Sequence, residues 1–156
     1  MVPTRPRVAG RGQPVLPCSA GWEVARVPAL PSLGVLILVA TDADEVLAEI
    51  DAAVGGAGVD IVRVRDGRAV RASVIEHDPD VVVLDMQIGS MGGVAVAIDL
   101  RNEAGGGRLD DQLIVLLLDR AADVFLAEQS GADRWITKPL DHLTISSVIE
   151  ELAASD

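Results

Sequence analysis

The residues of this chain whose types could do chemistry together stand directly behind short apolar runs. Asp42 follows the run 35–40 by way of Thr41, Asp85 closes the run 81–84, and Lys138 follows 135–137. Asp119-Arg120 follows the run 113–118 in the same way. Two carboxylates about 4–5 Å apart repel by roughly 3–4 kcal/mol at an effective dielectric near 20. A group of Asp42 and Asp85 therefore needs positive charge. Lys138 is one source, and Mg²⁺, a hard cation that prefers oxygen ligands, is another. A carboxylate beside a metal and a lysine can attack a phosphoryl group, whose oxygens the two cations would stabilise.

Such a gathering requires elements that bring distant residues to one edge. From residue 34 onward, short runs rich in Val, Ile and Leu alternate with stretches of helical period. The runs 35–40, 59–64, 81–84, 113–118 and 135–137 read as buried strands. Val46, Ile50 and Val54 mark a first helix stopped by Gly55-Gly56. A second spans about 68–77 and is closed by Asp78-Pro79. A third lies near 94–103, before Gly105-Gly106-Gly107, and a short fourth near 122–130 has Gly131 as its cap. The last spans 141–152, with Asp141 as N-cap and Ile145, Ile149 and Leu152 as its stripe. Strict alternation predicts an α/β fold: a doubly wound, five-stranded parallel sheet, (βα)5, flavodoxin-like with strand order 2-1-3-4-5. In that order the first and third strands are neighbours, so Asp42 and Asp85 face one another, and ligands bind outside the carboxyl ends of the strands.

Composition narrows the classes. The chain has 156 residues, 49% of them apolar but only 2% aromatic, with no tyrosine. That suits an aliphatic parallel sheet and not a base-stacking surface. The net charge of −11 argues against a nucleic-acid partner. A single cysteine, Cys18, excludes an intramolecular disulfide and a Cys-rich zinc site. Residues 1–33 differ from the rest: they hold six of the eight prolines, and four arginines against one glutamate. The remainder holds nine basic and 23 acidic groups. Residues 1–33 read as a disordered leader and 34–156 as the folded domain. The run 33–40 is too short to span a membrane, and its long proline-rich approach and lack of a cleavage pattern disfavour a secretory signal. A cytoplasmic location is expected.

Two segments carry a family likeness. Val82-Val83-Leu84-Asp85-Met86-Gln87-Ile88-Gly89-Ser90-Met91-Gly92-Gly93 resembles the phosphoacceptor strand and loop of bacterial response-regulator receiver domains. Gly131-Ala132-Asp133-Arg134-Trp135-Ile136-Thr137-Lys138-Pro139-Leu140 is similar to their closing lysine–proline motif. The resemblance covers 34–154. It implies that Asp85 is the phosphorylated residue, that Asp42, Asp85 and the Gln87 backbone carbonyl bind Mg²⁺, and that Lys138 contacts the phosphoryl group. It implies a sensor histidine kinase or phosphotransfer protein as donor. Trp135 takes the aromatic position of the fifth strand, and plain packing explains it equally well. No output domain follows residue 156 in this sequence, so the expectation is a single-domain, non-enzymatic regulator that signals to a downstream protein target, with a homodimer through the region of the fourth helix, fifth strand and fifth helix.

The pattern also breaks. Thr41 stands where the family carries an acid, which lowers the expected Mg²⁺ affinity. The fourth strand should end in Thr or Ser, and that position falls on Leu117 or Leu118. The lost hydrogen bond to a charged group is worth about 1.5–3 kcal/mol, and Asp119 would repel a phosphoryl group. Gly89 replaces the usual proline of the third-strand loop, which loosens it. Asp44 reads either as a helix N-cap or as an outer group of the cation site. These breaks keep open a pseudo-receiver that binds partners without phosphorylation. Asp42-Ala43-Asp44 also resembles the acid pair of haloacid-dehalogenase-like phosphatases, although no flap or cap domain accompanies it. His77 and His142 are expected to be solvated and given no role.

Overall fold

The computed structural model describes residues 34–54 and 58–154. Five strands alternate with five α-helices: β1 Val35–Ala40, α1 Asp44–Val54, β2 Val59–Val64, α2 Val70–His77, β3 Val81–Asp85, α3 Gly93–Gly105, β4 Ile114–Leu118, α4 Val124–Ser130, β5 Arg134–Thr137 and α5 His142–Ala154. The strands form one parallel sheet in the order β2-β1-β3-β4-β5. Short 3₁₀ turns, Gly67–Ala69 and Ala121–Asp123, lead into α2 and α4. They are why those helices begin later than the apolar spacing predicts.

Alternation along the strands sorts the core onto two faces. Leu38, Ala40, Val82, Leu84, Ile114, Leu116 and Leu118 pack with α2, α3 and α4. Ile37, Val39, Val81, Val83, Val115, Leu117 and Ile136 pack with α1 and α5. Burying each such side chain contributes about 1.5–3 kcal/mol. The two clusters together outweigh the several kcal/mol that a buried carboxylate costs, so the sheet can carry an acid at its edge. Trp135 is half-buried and packs against the α2–α4 cluster.

The helix stops follow their local chemistry. Asp78 closes α2 in the left-handed region (φ 50°), its N–H donating to the Val74 carbonyl at 2.8 Å. Gly131 closes α4 at φ 84°, a conformation open to glycine without steric cost. Asp141 caps α5 by accepting from the Thr144 N–H and hydroxyl at 2.9 and 3.0 Å. Those bonds hold its carboxyl below the usual carboxylate range. The expected leader, Cys18 and the Gly55-Gly56 stop lie outside the described residues.

Candidate acceptor site at the carboxyl edge of the sheet

Register decides what meets at the edge. Ala40 pairs with Leu84, so Thr41 lies beside Asp85. Leu118 pairs with Thr137, so Asp119 lies beside Lys138. Thr41, Asp85, Asp119 and Lys138 continue the alternation of Val39, Val83, Leu117 and Ile136, the residues of the α1/α5 face. Four strands thus aim four polar side chains the same way, just beyond the apolar layer.

Asp85 is the centre. It is 2% exposed, and its oxygens have three hydrogen bonds between them. Oδ1 accepts from Lys138 Nζ at 2.8 Å and from the Gln87 N–H at 3.1 Å. Oδ2 accepts from the Thr41 hydroxyl at 2.7 Å. Thr41 is fully buried, and its oxygen in turn accepts from the Ala43 N–H at 3.1 Å. By sequence alone Thr41 is a missing negative charge. The structure makes it a direct partner of the acceptor candidate. Gly93 shapes the floor, because a Cβ there would lie 2.6 Å from the Asp85 carbonyl oxygen.

Lys138 reaches two carboxylates, Asp85 and, at 3.1 Å, Asp119 Oδ1. Burial pulls its ammonium towards neutrality, but the hydrogen bonds and charges of Asp85 and Asp119 outweigh that and raise its pKa above the ordinary lysine value. The peptide bond from Lys138 to Pro139 is cis. Asp119 corrects an expectation. Leu117 and Leu118 do not face the site, since each is buried in one of the two apolar clusters. The side chain at the end of β4 that does face it is Asp119.

Asp42 is exposed and accepts from the Gly89 N–H at 3.1 Å. The loop after β3 is therefore tied to the end of β1, and the glycine expected to loosen it supplies the tie. Gly89 also accepts from the Gly67 N–H at 3.2 Å and the Met91 N–H at 2.8 Å. Asp44 opens α1 and pairs with Arg63 at 2.7 Å and Arg65 at 3.2 Å. The Arg63 hydrogen bond and charge lead the set that lowers its pKa. Asp44 is thus paired with the arginines of β2 and its following loop. Nothing in the sequence pattern marks Arg63 as part of the site. Its Nε also donates to the Thr41 carbonyl at 3.1 Å, bracing the end of β1 from the sheet edge. His142 is exposed at the start of α5 and His77 ends α2; the hydrogen bonds to Asp85 come from Thr41, Gln87 and Lys138.

The sequence matches the model of the response regulator receiver domain over residues 37–150. The chain belongs to that family. A curated relative, the DNA-binding response regulator MtrA of Mycolicibacterium paratuberculosis, is 34% identical over 105 residues, covering 65% of this chain and 44% of its own length. The chain thus spans less than half of that relative. Among solved structures, a response regulator from Chloroflexus aurantiacus superposes with a TM-score of 0.69 at 18% identity, covering 78% of this chain and 98% of that one. The receiver domain of NarL from Mycobacterium tuberculosis gives a TM-score of 0.67 at 25% identity, with 79% and 98% covered. The chain carries a receiver domain of two-component signalling, and it has the flavodoxin-like architecture of these neighbours. Receiver domains are in general signalling modules and not enzymes. No helix among the described residues is long and apolar enough to cross a membrane.

Receiver domains typically bind Mg²⁺ at the phosphorylation site. Among the described residues, no three His, Cys, Asp or Glu side chains are gathered as a metal cage. Besides Asp119, which pairs with Lys138, the edge offers the carboxylates of Asp42 and Asp85, with the Gln87 carbonyl in the loop between them and α3. That all-oxygen set fits Mg²⁺ in kind, a cation that keeps several of its waters.

Proposed function

We propose that this receiver domain accepts a phosphoryl group on Asp85 from a phosphohistidine of a sensor kinase or phosphotransfer protein, and signals through protein contact. One observation carries the reading: a carboxylate 2% exposed, with an ammonium 2.8 Å away, at the carboxyl edge of a receiver fold. In the transfer, an Asp85 oxygen bonds to phosphorus while the donor's P–N bond breaks. The electron pair of that bond leaves with the histidine nitrogen. Lys138 orients the acceptor and meets the incoming oxygens, and the Gln87 N–H fixes the carboxylate plane. The Thr41 hydroxyl holds Oδ2 until transfer and must release it if that oxygen attacks. Asp42, Asp85 and the Gln87 carbonyl would hold Mg²⁺, which when bound neutralises charge on the transferred group.

We take residues 34–156, around the matched span 37–150, as the receiver domain and 1–33 as a leader. Phe125 and Leu126 on α4 and Leu143 on α5 are exposed apolar side chains. They support output, or self-association, through that region. The excess of acidic groups beyond residue 33 speaks against nucleic acid as a direct partner of this region. A second reading, a pseudo-receiver, draws on the network itself: both oxygens of Asp85 are already satisfied. Incubation with a small phosphodonor and Mg²⁺, followed by intact mass, separates them. A phosphoryl-sized gain that Asp85→Asn abolishes supports transfer; no gain under any donor supports the pseudo-receiver.

A further inference from the structure

Asp119 brings to the site a carboxylate that acceptor chemistry does not ask for. Its Oδ1 lies 3.1 Å from the same Lys138 Nζ that sits 2.8 Å from Asp85 Oδ1. Its Oδ2 is buried without a hydrogen-bond partner among the described residues. The segment behind it is pinned, because Asp123 accepts from the Arg120 N–H at 3.2 Å and from its guanidinium at 2.9 Å. Lys138 is also the chain's single lysine. Two carboxylates therefore share one ammonium at the edge of the sheet.

We infer that Asp119 is a positioning residue that restrains phosphoryl transfer: it holds Lys138 jointly with Asp85 and must surrender the ammonium before a phosphoryl group on Asp85 can take it. The inference rests on Asp85 being the acceptor. A phosphoryl group brings up to two negative charges and strong acceptor oxygens. It enters a pocket where Asp119 is both a like charge and a rival for the cation. The same negative charge should help a divalent cation stay. Neutralising Asp119 therefore moves phosphoryl acceptance and Mg²⁺ binding in opposite directions, which simple loss of packing would not do.

The test uses the full chain as wild type, Asp119→Asn, Asp119→Thr and Asp119→Glu. Phosphoramidate is the donor: its P–N bond breaks, the new bond forms to an Asp85 oxygen, and ammonia leaves with the electron pair. Intact mass follows the reaction at Mg²⁺ saturating for each protein, and calorimetry follows Mg²⁺ alone. Asp119→Asn and Asp119→Thr should each label faster by about tenfold or more, the worth of one charged hydrogen bond, and bind Mg²⁺ more weakly. Asp119→Glu should label at the wild-type rate. Equal labelling of wild type and both neutral variants, with Asp85→Asn unlabelled, would remove the restraint and leave the acceptor intact. Equal acceleration in Asp119→Glu, or unchanged Mg²⁺ affinity in Asp119→Asn, would make Asp119 a packing residue only. No labelling in any variant would remove the acceptor reading and this inference with it.

Discussion

Replacing Lys138 with Met keeps most of the apolar stem, one atom shorter, and removes the charge. Asp85 then retains the Thr41 hydroxyl and the Gln87 N–H but loses the ammonium at 2.8 Å. A hydrogen bond to a charged group is worth about 1.5–3 kcal/mol. Coulomb attraction at an effective dielectric near 20 adds a few kcal/mol, which the desolvation of the ammonium largely offsets. Lys138 is 22% exposed, and solvent screening trims the net loss to about 2 kcal/mol. Urea unfolding at neutral pH should show a lower midpoint with an unchanged slope. The pH dependence sharpens the test. The folded pKa of Lys138 is raised, by Asp85 and Asp119 against the pull of burial. Its stabilisation is thus full below the ordinary value of 10.5 and is lost as pH rises through the higher folded value. The chain has no tyrosine and no other lysine, and arginine titrates above about 12. Lys138 is therefore the described side chain responsible for an alkaline decline. Wild type should lose stability above pH 10.5 while Lys138→Met stays flat. Equal midpoints at neutral pH, or the same alkaline decline in both proteins, would refute the reasoning.

Three further outcomes follow from single contacts. Thr41→Val, close in volume, removes a buried hydroxyl that bonds Asp85 and accepts from the Ala43 N–H; chemical denaturation should show a loss of about 1–3 kcal/mol, and an unchanged midpoint would deny the contact its weight. Gly93→Ala forces a Cβ to within 2.6 Å of the Asp85 carbonyl oxygen, so it should cost about 1–3 kcal/mol despite adding a good helix former, and a gain in melting temperature would contradict that geometry. Asp141→Ala removes the α5 cap; because the cap holds the folded carboxyl below 3.8, wild type should exceed the variant above that pH and converge with it as acid protonates the carboxylate, and thermal melts that differ equally at pH 2 and pH 7 would rule the cap out.

The parts of the fold that could be read from sequence are those with a local signal. β1 and β2 end where their apolar runs end. Asp78, Gly131 and Asp141 stop or start helices through their own backbone and side-chain preferences. The late starts of α2 and α4 depend on 3₁₀ turns that apolar spacing does not distinguish from helix. At the site, Asp85 with Lys138 was legible because both end strands and differ in charge. Asp119 is legible as a charge that repels a phosphoryl group, but not as the residue of β4's end that faces the site. β3 and β4 are buried on both faces, so no polar alternation marks which residue turns to the site. Only the pairing of Leu118 with Thr137 settles it. Thr41 was read by its missing charge, while its contact with Asp85 comes from the pairing of β1 with β3. Arg63 gave no signal, since its role depends on β2 lying beside β1 at the sheet edge.

The most direct measurement locates the phosphoryl group itself. After labelling, peptide mapping by tandem mass spectrometry should find it on Asp85, the last residue of β3. Label on Asp42 would instead favour a phosphatase-like nucleophile, and label on Asp119 would invert the roles assigned to the two carboxylates that share Lys138; either result contradicts the account.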